Sequence, residues 1–251
     1  MNKELVKERF DKSLKTYDSN AKIQKSIASK LFKLSQDHFS VTNQTIFEIG
    51  CGTGFLTREI MNKAPKHIFA NDLNPNAIFS LLSKMSNEEK SKIDFLSGDI
   101  EKIDFPANTN SIFSASTIQW ITDIRAFAEK LHHSTDKQAT IAISSFGNKN
   151  LYEIKEITGA GLTYDTSKLL DAFKKHFDIL HFEEETKCIY FQSPIDILRH
   201  LKLTGVNGIS KTTWNKSSLQ NFQRKYSQYQ SDKGYTLTYN PLYIIGKKKN
   251  V

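Results

Sequence analysis

Two cysteines in 251 residues, Cys51 and Cys188, make neither a Cys-x-x-Cys pair nor a spaced framework. A disulfide scaffold and a thiolate metal cluster are therefore excluded. Five prolines and eleven glycines are too few for a low-complexity or fibrous chain. No apolar run approaches the roughly 20 residues that a membrane helix needs. The opening stretch, MNKELVKERF, contains no apolar signal core. These absences lead us to expect a reducing cytoplasm and no membrane. Acidic residues are also in deficit, 27 against 35 lysines and arginines, for a net charge of +8. That balance favours an acidic partner, whether nucleic acid, anionic lipid or acidic protein, and a merely solvated lysine-rich surface explains it equally well. What remains is an ordinary globular composition, 38% hydrophobic and 25% charged, in a length that suits one large domain or a core with an insertion.

Periodicity divides the chain. Residues 3–37 lack Pro and Gly and carry Leu5, Phe10, Leu14, Tyr17, Ile23, Ile27, Leu31 and Leu34 at helical spacing, with a kink near Ser19-Asn20. Strands are then expected at 45–50, 67–72, 93–99, 111–116 and 139–146. Helices are expected at 55–64, at 74–85 (Asn74 capping, Pro75 at the first position) and at 123–134, capped by Asp123. Such alternation calls for a parallel sheet with helices on both faces. The last third reads differently: a helix at 166–177, one long strand at 178–191, helices at 193–208 and 217–231, and a terminal strand at 235–249. The two late helices thus interrupt a strand pair, close to the strand ends where open α/β sheets bind ligands.

The motif with chemical content is Glu48-Ile49-Gly50-Cys51-Gly52-Thr53-Gly54, where the first strand meets its helix. Glycines there allow a sharp turn and a close ligand approach, although a bare strand-to-helix turn needs them too. The dinucleotide fingerprint fails because Phe55 stands where its third Gly belongs, and no P-loop is present. A dehydrogenase is disfavoured accordingly. Glu48 would repel a pyrophosphate and favour a ligand with cationic groups, such as S-adenosylmethionine. Asp72 follows Gly50 by 22 residues, near the offset at which a carboxylate accepts from ribose hydroxyls. Asp99, in Ser97-Gly98-Asp99-Ile100, can accept from an adenine amine while the Ile100 amide meets a ring nitrogen. Each aspartate alone reads equally well as a cap or turn residue.

Together, EIGCGTG, Asp72 and GDIE resemble the class I S-adenosylmethionine-dependent methyltransferases. The resemblance implies a doubly wound, Rossmann-like α/β fold, mainly parallel, with seven strands and the final one antiparallel. The domain reading is a single methyltransferase domain over 1–251, with an N-terminal helical segment at 1–40 and a helical lid insertion at 194–232. The cofactor-binding candidates are Glu48, Gly50, Cys51, Gly52, Gly54, Asp72, Leu73, Asp99, Ile100 and Ser116. The acceptor follows partly by exclusion. No amino-methyltransferase motif follows the fourth strand, and Asn240-Pro241-Leu242-Tyr243 lies too late in the chain to be one. No cysteine is placed as a nucleophile, and no Cys/His cluster suggests a metal.

Further segments resemble the malonyl-[acyl-carrier-protein] O-methyltransferases of biotin synthesis. They are Arg9-Phe10-Asp11-Lys12-Ser13 with Tyr17-Asp18, Ala21 and Gln24; Ser116-Thr117-Ile118-Gln119-Trp120; Ser144-Ser145-Phe146; Phe191-Gln192-Ser193-Pro194; Thr238-Tyr239; and, most specifically, Leu198 to Asn207. Asn110-Ser111 before the fourth strand and Ser-Ser-Phe at the end of the fifth depart from the usual pattern. A carboxylate acceptor is anionic at neutral pH and needs no general base, which matches a chain offering none. The implied roles are Arg199, Tyr17 and Gln119 as catalytic candidates and Trp120 and Lys202 as substrate-binding ones. The implied partner is an acidic acyl carrier protein bearing a malonyl group, with the enzyme a monomer. Two other readings remain open: a methyltransferase for another small acid or quinone-type acceptor, and a non-catalytic nucleic-acid-binding module on the same fold.

Overall fold

The apolar strands at 45–49, 111–115 and 140–146 sit in the middle of the sheet because both of their faces must be buried. In the computed structural model, residues 2–162, 165–205 and 215–250 are described. The chain opens with α1 (Lys3–Asn20) and α2 (Lys22–Gln36), broken at Ala21, whose amide bonds back to the Tyr17 carbonyl. The core follows as β1 (Thr45–Ile49), α3 (Phe55–Met61), β2 (His67–Asp72), α4 (Pro75–Leu82), α5 (Asn87–Lys90), β3 (Ile93–Ser97), β4 (Ser111–Ala115), α6 (Ile124–His133) and β5 (Thr140–Phe146). Asn74 and Asp123 cap α4 and α6 through their side chains, as expected.

After β5 the chain forms α7 (Tyr152–Thr158), a short helix that the periodicity did not reveal, and then α8 (Thr166–Lys174). The single strand expected at 178–191 is two, β6 (Phe177–Glu184) and β7 (Lys187–Phe191). Beyond them lie α9 (Pro194–Leu203) and α10 (Lys216–Tyr226). The terminal strand likewise divides, after the two-residue β8 (Gln230–Ser231), into β9 (Gly234–Tyr239) and β10 (Pro241–Lys248). Both divisions have one cause. The chain passes from one sheet to another at Glu185-Thr186 and back at Asn240. Asn240 is 1% exposed and pins the crossing, its amide side chain donating to the Glu185 carbonyl and accepting from the Lys149 amide. Pro241 then prevents β9 from simply continuing.

The main sheet runs β3-β2-β1-β4-β5-β10-β6, with β10 antiparallel to both neighbours and the other registered pairs parallel. Alternate side chains serve opposite faces: Ile46 joins α2 and α3 residues such as Leu31 and Leu56, while Phe47 and Ile49 join Phe127 and Leu131 of α6 and Phe173 of α8. This is the doubly wound arrangement that was expected. Residues 194–232 carry α9, α10 and the short β8, which pairs with β9 in a three-stranded antiparallel sheet, β7-β9-β8. That sheet is why Tyr239 and Leu237 are fully buried beside Phe222 and Tyr226. No helix among the described residues is long and apolar enough to cross a membrane.

Candidate active site

Gly50, Gly52 and Gly54 all adopt positive φ, at 71°, 52° and 89°. At Gly50 the need is absolute, since an added Cβ would lie 2.0 Å from the Thr117 hydroxyl. The loop is drawn onto β2: the Gly50 and Cys51 amides both donate to the Asn71 carbonyl, at 2.8 and 2.9 Å. Asp72 completes the staple. Its 7%-exposed carboxylate accepts from the Gly52 amide at 2.9 Å and the Asn74 amide at 2.8 Å. Burial raises its pKa to about 6, with those two amides pulling the other way.

Beside this loop opens a cavity of about 610 Å³. Eleven of the residues singled out from sequence line it: Tyr17, Gly50, Asp72, Leu73, Asp99, Ile100, Ser116, Gln119, Trp120, Arg199 and Lys202. Glu48, Cys51, Gly52 and Gly54 do not. Cys51, Gly52 and Gly54 belong to the loop itself, and Glu48 on β1 is 1% exposed with Oε2 unpartnered. Burial first, then the Asp72 charge, push the Glu48 pKa up to about 7 against the opposing pull of Thr57 and Arg58. Burial likewise pushes the Cys51 thiol up, so it is no nucleophile.

Ser116 sits at φ 54°, a conformation a serine rarely takes, and its hydroxyl is buried without a partner. Gln119 donates to the Ser116 carbonyl, which leaves its own Oε1 buried and unpartnered. Asp99 pairs with Lys3 at 2.5 Å, and the same ammonium meets Glu101. Tyr17 stacks on Phe55 with ring centroids 5.8 Å apart and meets Phe10 edge-on. Burial and then Asp72 push its phenol above the usual tyrosine range. Arg199 lines the cavity but remains 63% exposed and bonded to Asp196 of its own helix. Val206 and Asn207, the end of the most specific segment, lie outside the described residues.

A methyltransferase domain model matches residues 46–138. Over its whole length the chain is similar to malonyl-[acyl-carrier protein] O-methyltransferase of Bacteroides thetaiotaomicron, 38% identical with 100% of both chains covered. The protein of the same name from Calditerrivibrio nitroreducens is also 38% identical, over 98% of this chain and 97% of that one. The chain belongs to the malonyl-[acyl-carrier protein] O-methyltransferase family. In shape, this methyltransferase is similar to an N-methyltransferase of Bradyrhizobium japonicum in complex with S-adenosyl-l-homocysteine, with a TM-score of 0.59 over 98% of this chain and 99% of that one. At 12% identity that likeness concerns the fold alone.

The methyl donor of such an enzyme is S-adenosyl-l-methionine, and the cavity of this family member fits it on its own chemistry. Buried acceptors without partners, Gln119 Oε1 and Ser116 Oγ, require donors to satisfy them. Carboxylates at the ends of β2 and β3 suit hydroxyl and amine donors, and Gly50 leaves the backbone open to close approach. Sequence reasoning missed Lys3, the ion partner of Asp99, and Asn71, whose side chain ties the loop to the Leu96 and Gly98 carbonyls. It missed Asn74 as a tether of α1, through Asp11, at 3.1 Å. Lysine and asparagine in helices and turns carry no periodic signal, so these partners become legible only through tertiary contact.

Proposed function

We propose that this enzyme transfers a methyl group from S-adenosyl-l-methionine to the free carboxylate of a malonyl thioester carried by an acyl carrier protein, giving the methyl ester that primes pimeloyl synthesis for biotin. The observation that carries the reading is one cavity lined both by the acceptors Asp72, Asp99 and Gln119 and by the cations Arg199 and Lys202 of α9. When bound, S-adenosyl-l-methionine supplies a methyl made electrophilic by its sulfonium. Asp72 and Asp99 hold hydroxyl and amine donors, and the Gln119 and Ser116 oxygens accept from a cationic group. Tyr17, on α1, closes over that end with a phenol that burial keeps neutral.

Arg199 grips the acceptor carboxylate through its planar fork, with Lys202 one turn further along the helix. Leaving Asp196 is easy, because an exposed ion pair contributes only about 0.2–1 kcal/mol. Trp120 walls the acceptor side. Held by Arg199, the carboxylate would accept the methyl, with the new carbon–oxygen bond replacing the carbon–sulfur bond and the electron pair staying on sulfur. No proton moves, so no base is required. Alignment and water exclusion do the catalysis. An acidic carrier suits the +8 chain, with surface charge raising the encounter rate.

The test is methyl transfer from labelled donor to malonyl carrier protein, malonyl-coenzyme A, acetyl carrier protein and free malonate. Transfer to the malonyl carrier and none to the acetyl carrier supports the assignment. Equal labelling of the acetyl carrier, or none of the malonyl carrier, overturns it.

A further inference from the structure

Away from the glycine loop the cavity changes chemistry. There its walls are Leu151 just before α7, Ile154 of α7, Leu162 beyond it, Ile195 and Leu198 of α9, and Leu219 of α10. Leu151, Ile154 and Leu198 also pack against the main core. Leu162, Ile195 and Leu219 belong to neither core cluster, although each is half-buried. Among the described residues, three apolar side chains from three separate segments thus line a common space without joining either core cluster. Such residues gain their burial when something apolar fills that space. Beside Leu162 the lining is formed by Ala160 and Gly161, which carry little side chain. Asp72 and Asp99 are the only carboxylates lining the cavity among the described residues, and both lie at its other end. Beside α7 the hydrogen-bonding groups are neutral, Asn150 and Thr158, and the α9 side adds Thr204 along with the Arg199 and Lys202 cations that the malonyl carboxylate would meet.

We propose that this apolar passage between α7, α9 and α10 is a binding subsite for the pantetheine arm of the thioester substrate. The inference rests on the function proposed above and goes beyond it. A pantetheine arm is uncharged, carries a branched hydrocarbon segment and two amides, and ends in the sulfur that bears the acyl group. Apolar walls broken by a few neutral polar groups match that chemistry, whereas the acidic cradle at the far end does not. The passage is continuous with Gln119 and Trp120, so an arm lying in it delivers the malonyl group to the methyl-transfer point. The walls come from both the core side, α7, and the inserted region, α9 and α10. The arm thus holds the insertion against the core, and the enzyme distinguishes thioesters by arm length as well as by their free carboxylate.

The decisive variants are Ile195→Trp and Leu219→Trp, which fill the passage without removing a core side chain. They are assayed with malonyl-coenzyme A and malonyl carrier protein, which bear the full arm, and with the malonyl thioester of N-acetylcysteamine, which bears a stub. A loss of roughly tenfold or more in kcat/KM for both full-length arms, with less than about a twofold change for the stub, is expected from obstructing an apolar subsite. Calorimetric affinity for S-adenosyl-l-methionine should stay at its wild-type value. Equal losses for stub and full arm, or no loss for any, overturn the proposal. Should a tryptophan variant misfold, Ile195→Ala and Leu219→Ala test the same point from the other side: KM should rise for the full arms and not for the stub. A wild-type enzyme that methylates no malonyl thioester at all refutes the proposed function instead, and the two failures are thereby separable.

Discussion

Replacing Asp72 perturbs two things at once, and the structure separates them. The carboxylate accepts from the Gly52 and Asn74 amides, so Asp72→Ala leaves two buried donors unsatisfied. A hydrogen bond to a charged group is worth about 1.5–3 kcal/mol, which sets an upper bound of roughly 3–6 kcal/mol for the pair. Some returns, because Asp72 is one of the groups pushing Glu48, Cys51 and Tyr17 up, and removing its charge relieves them. A net loss of about 2–4 kcal/mol in folding stability is expected. Asp72→Asn keeps the shape and accepts from one amide, while its own NH2 faces the other, for a loss of about 1.5–3 kcal/mol. If this carboxylate also accepts from the cofactor ribose as proposed, S-adenosyl-l-methionine should bind about 10–150-fold more weakly to Asp72→Ala, with a smaller loss in Asp72→Asn, which keeps one acceptor. Urea unfolding of the free enzyme and calorimetry on the folded variants measure the two effects independently. Wild-type stability in Asp72→Asn would show that the two amide bonds hold nothing together. Unchanged calorimetric affinity would remove Asp72 from the cofactor site.

Three further outcomes are expected. Arg199→Lys should lose much of the activity on the malonyl carrier and Arg199→Ala nearly all of it, with cofactor affinity preserved in both; wild-type turnover in Arg199→Ala would place the carboxylate elsewhere, Lys202 being the next residue to replace. Gly50→Ala should destabilise by more than the ~1–2 kcal/mol of a left-handed alanine, since its Cβ also strikes Thr117; a second change, Thr117→Ala, should recover part of the loss in urea unfolding, and no recovery would show that the contact is not the cause. Glu48 and Asp72 have raised pKa values, about 7 and about 6, so the free enzyme holds protons that the unfolded chain has released. Their contribution to stability is present below the usual carboxylate range and lost as pH rises through those values, whereas a cationic ligand favours the ionised forms. The rise in Tm caused by S-adenosyl-l-methionine should therefore be larger at about pH 8 than at about pH 5.5, and an equal rise at both would refute the coupling.

The chain's own order of residues determined the core. Apolar runs at β1, β2, β4 and β5 must be buried on both faces, and the amphipathic segments between them can cover those faces in only one handedness, so the parallel sheet was legible without coordinates. The glycine loop was legible for a similar reason: positive φ at Gly50 is a local demand that only one residue type meets cheaply. Tertiary structure decided the rest. The 178–191 and 235–249 stretches look continuous because alternation does not say which sheet a strand joins, and the exchange at Glu185-Thr186 and Asn240 depends on side-chain bonds between residues far apart in sequence. The depth of Glu48 was likewise not legible, because its position along β1 says nothing of burial, and packing left its carboxylate 1% exposed. Lys3 had no signal at all, since its meaning is Asp99, which lies 96 residues away and comes within reach only when α1 folds across the cavity.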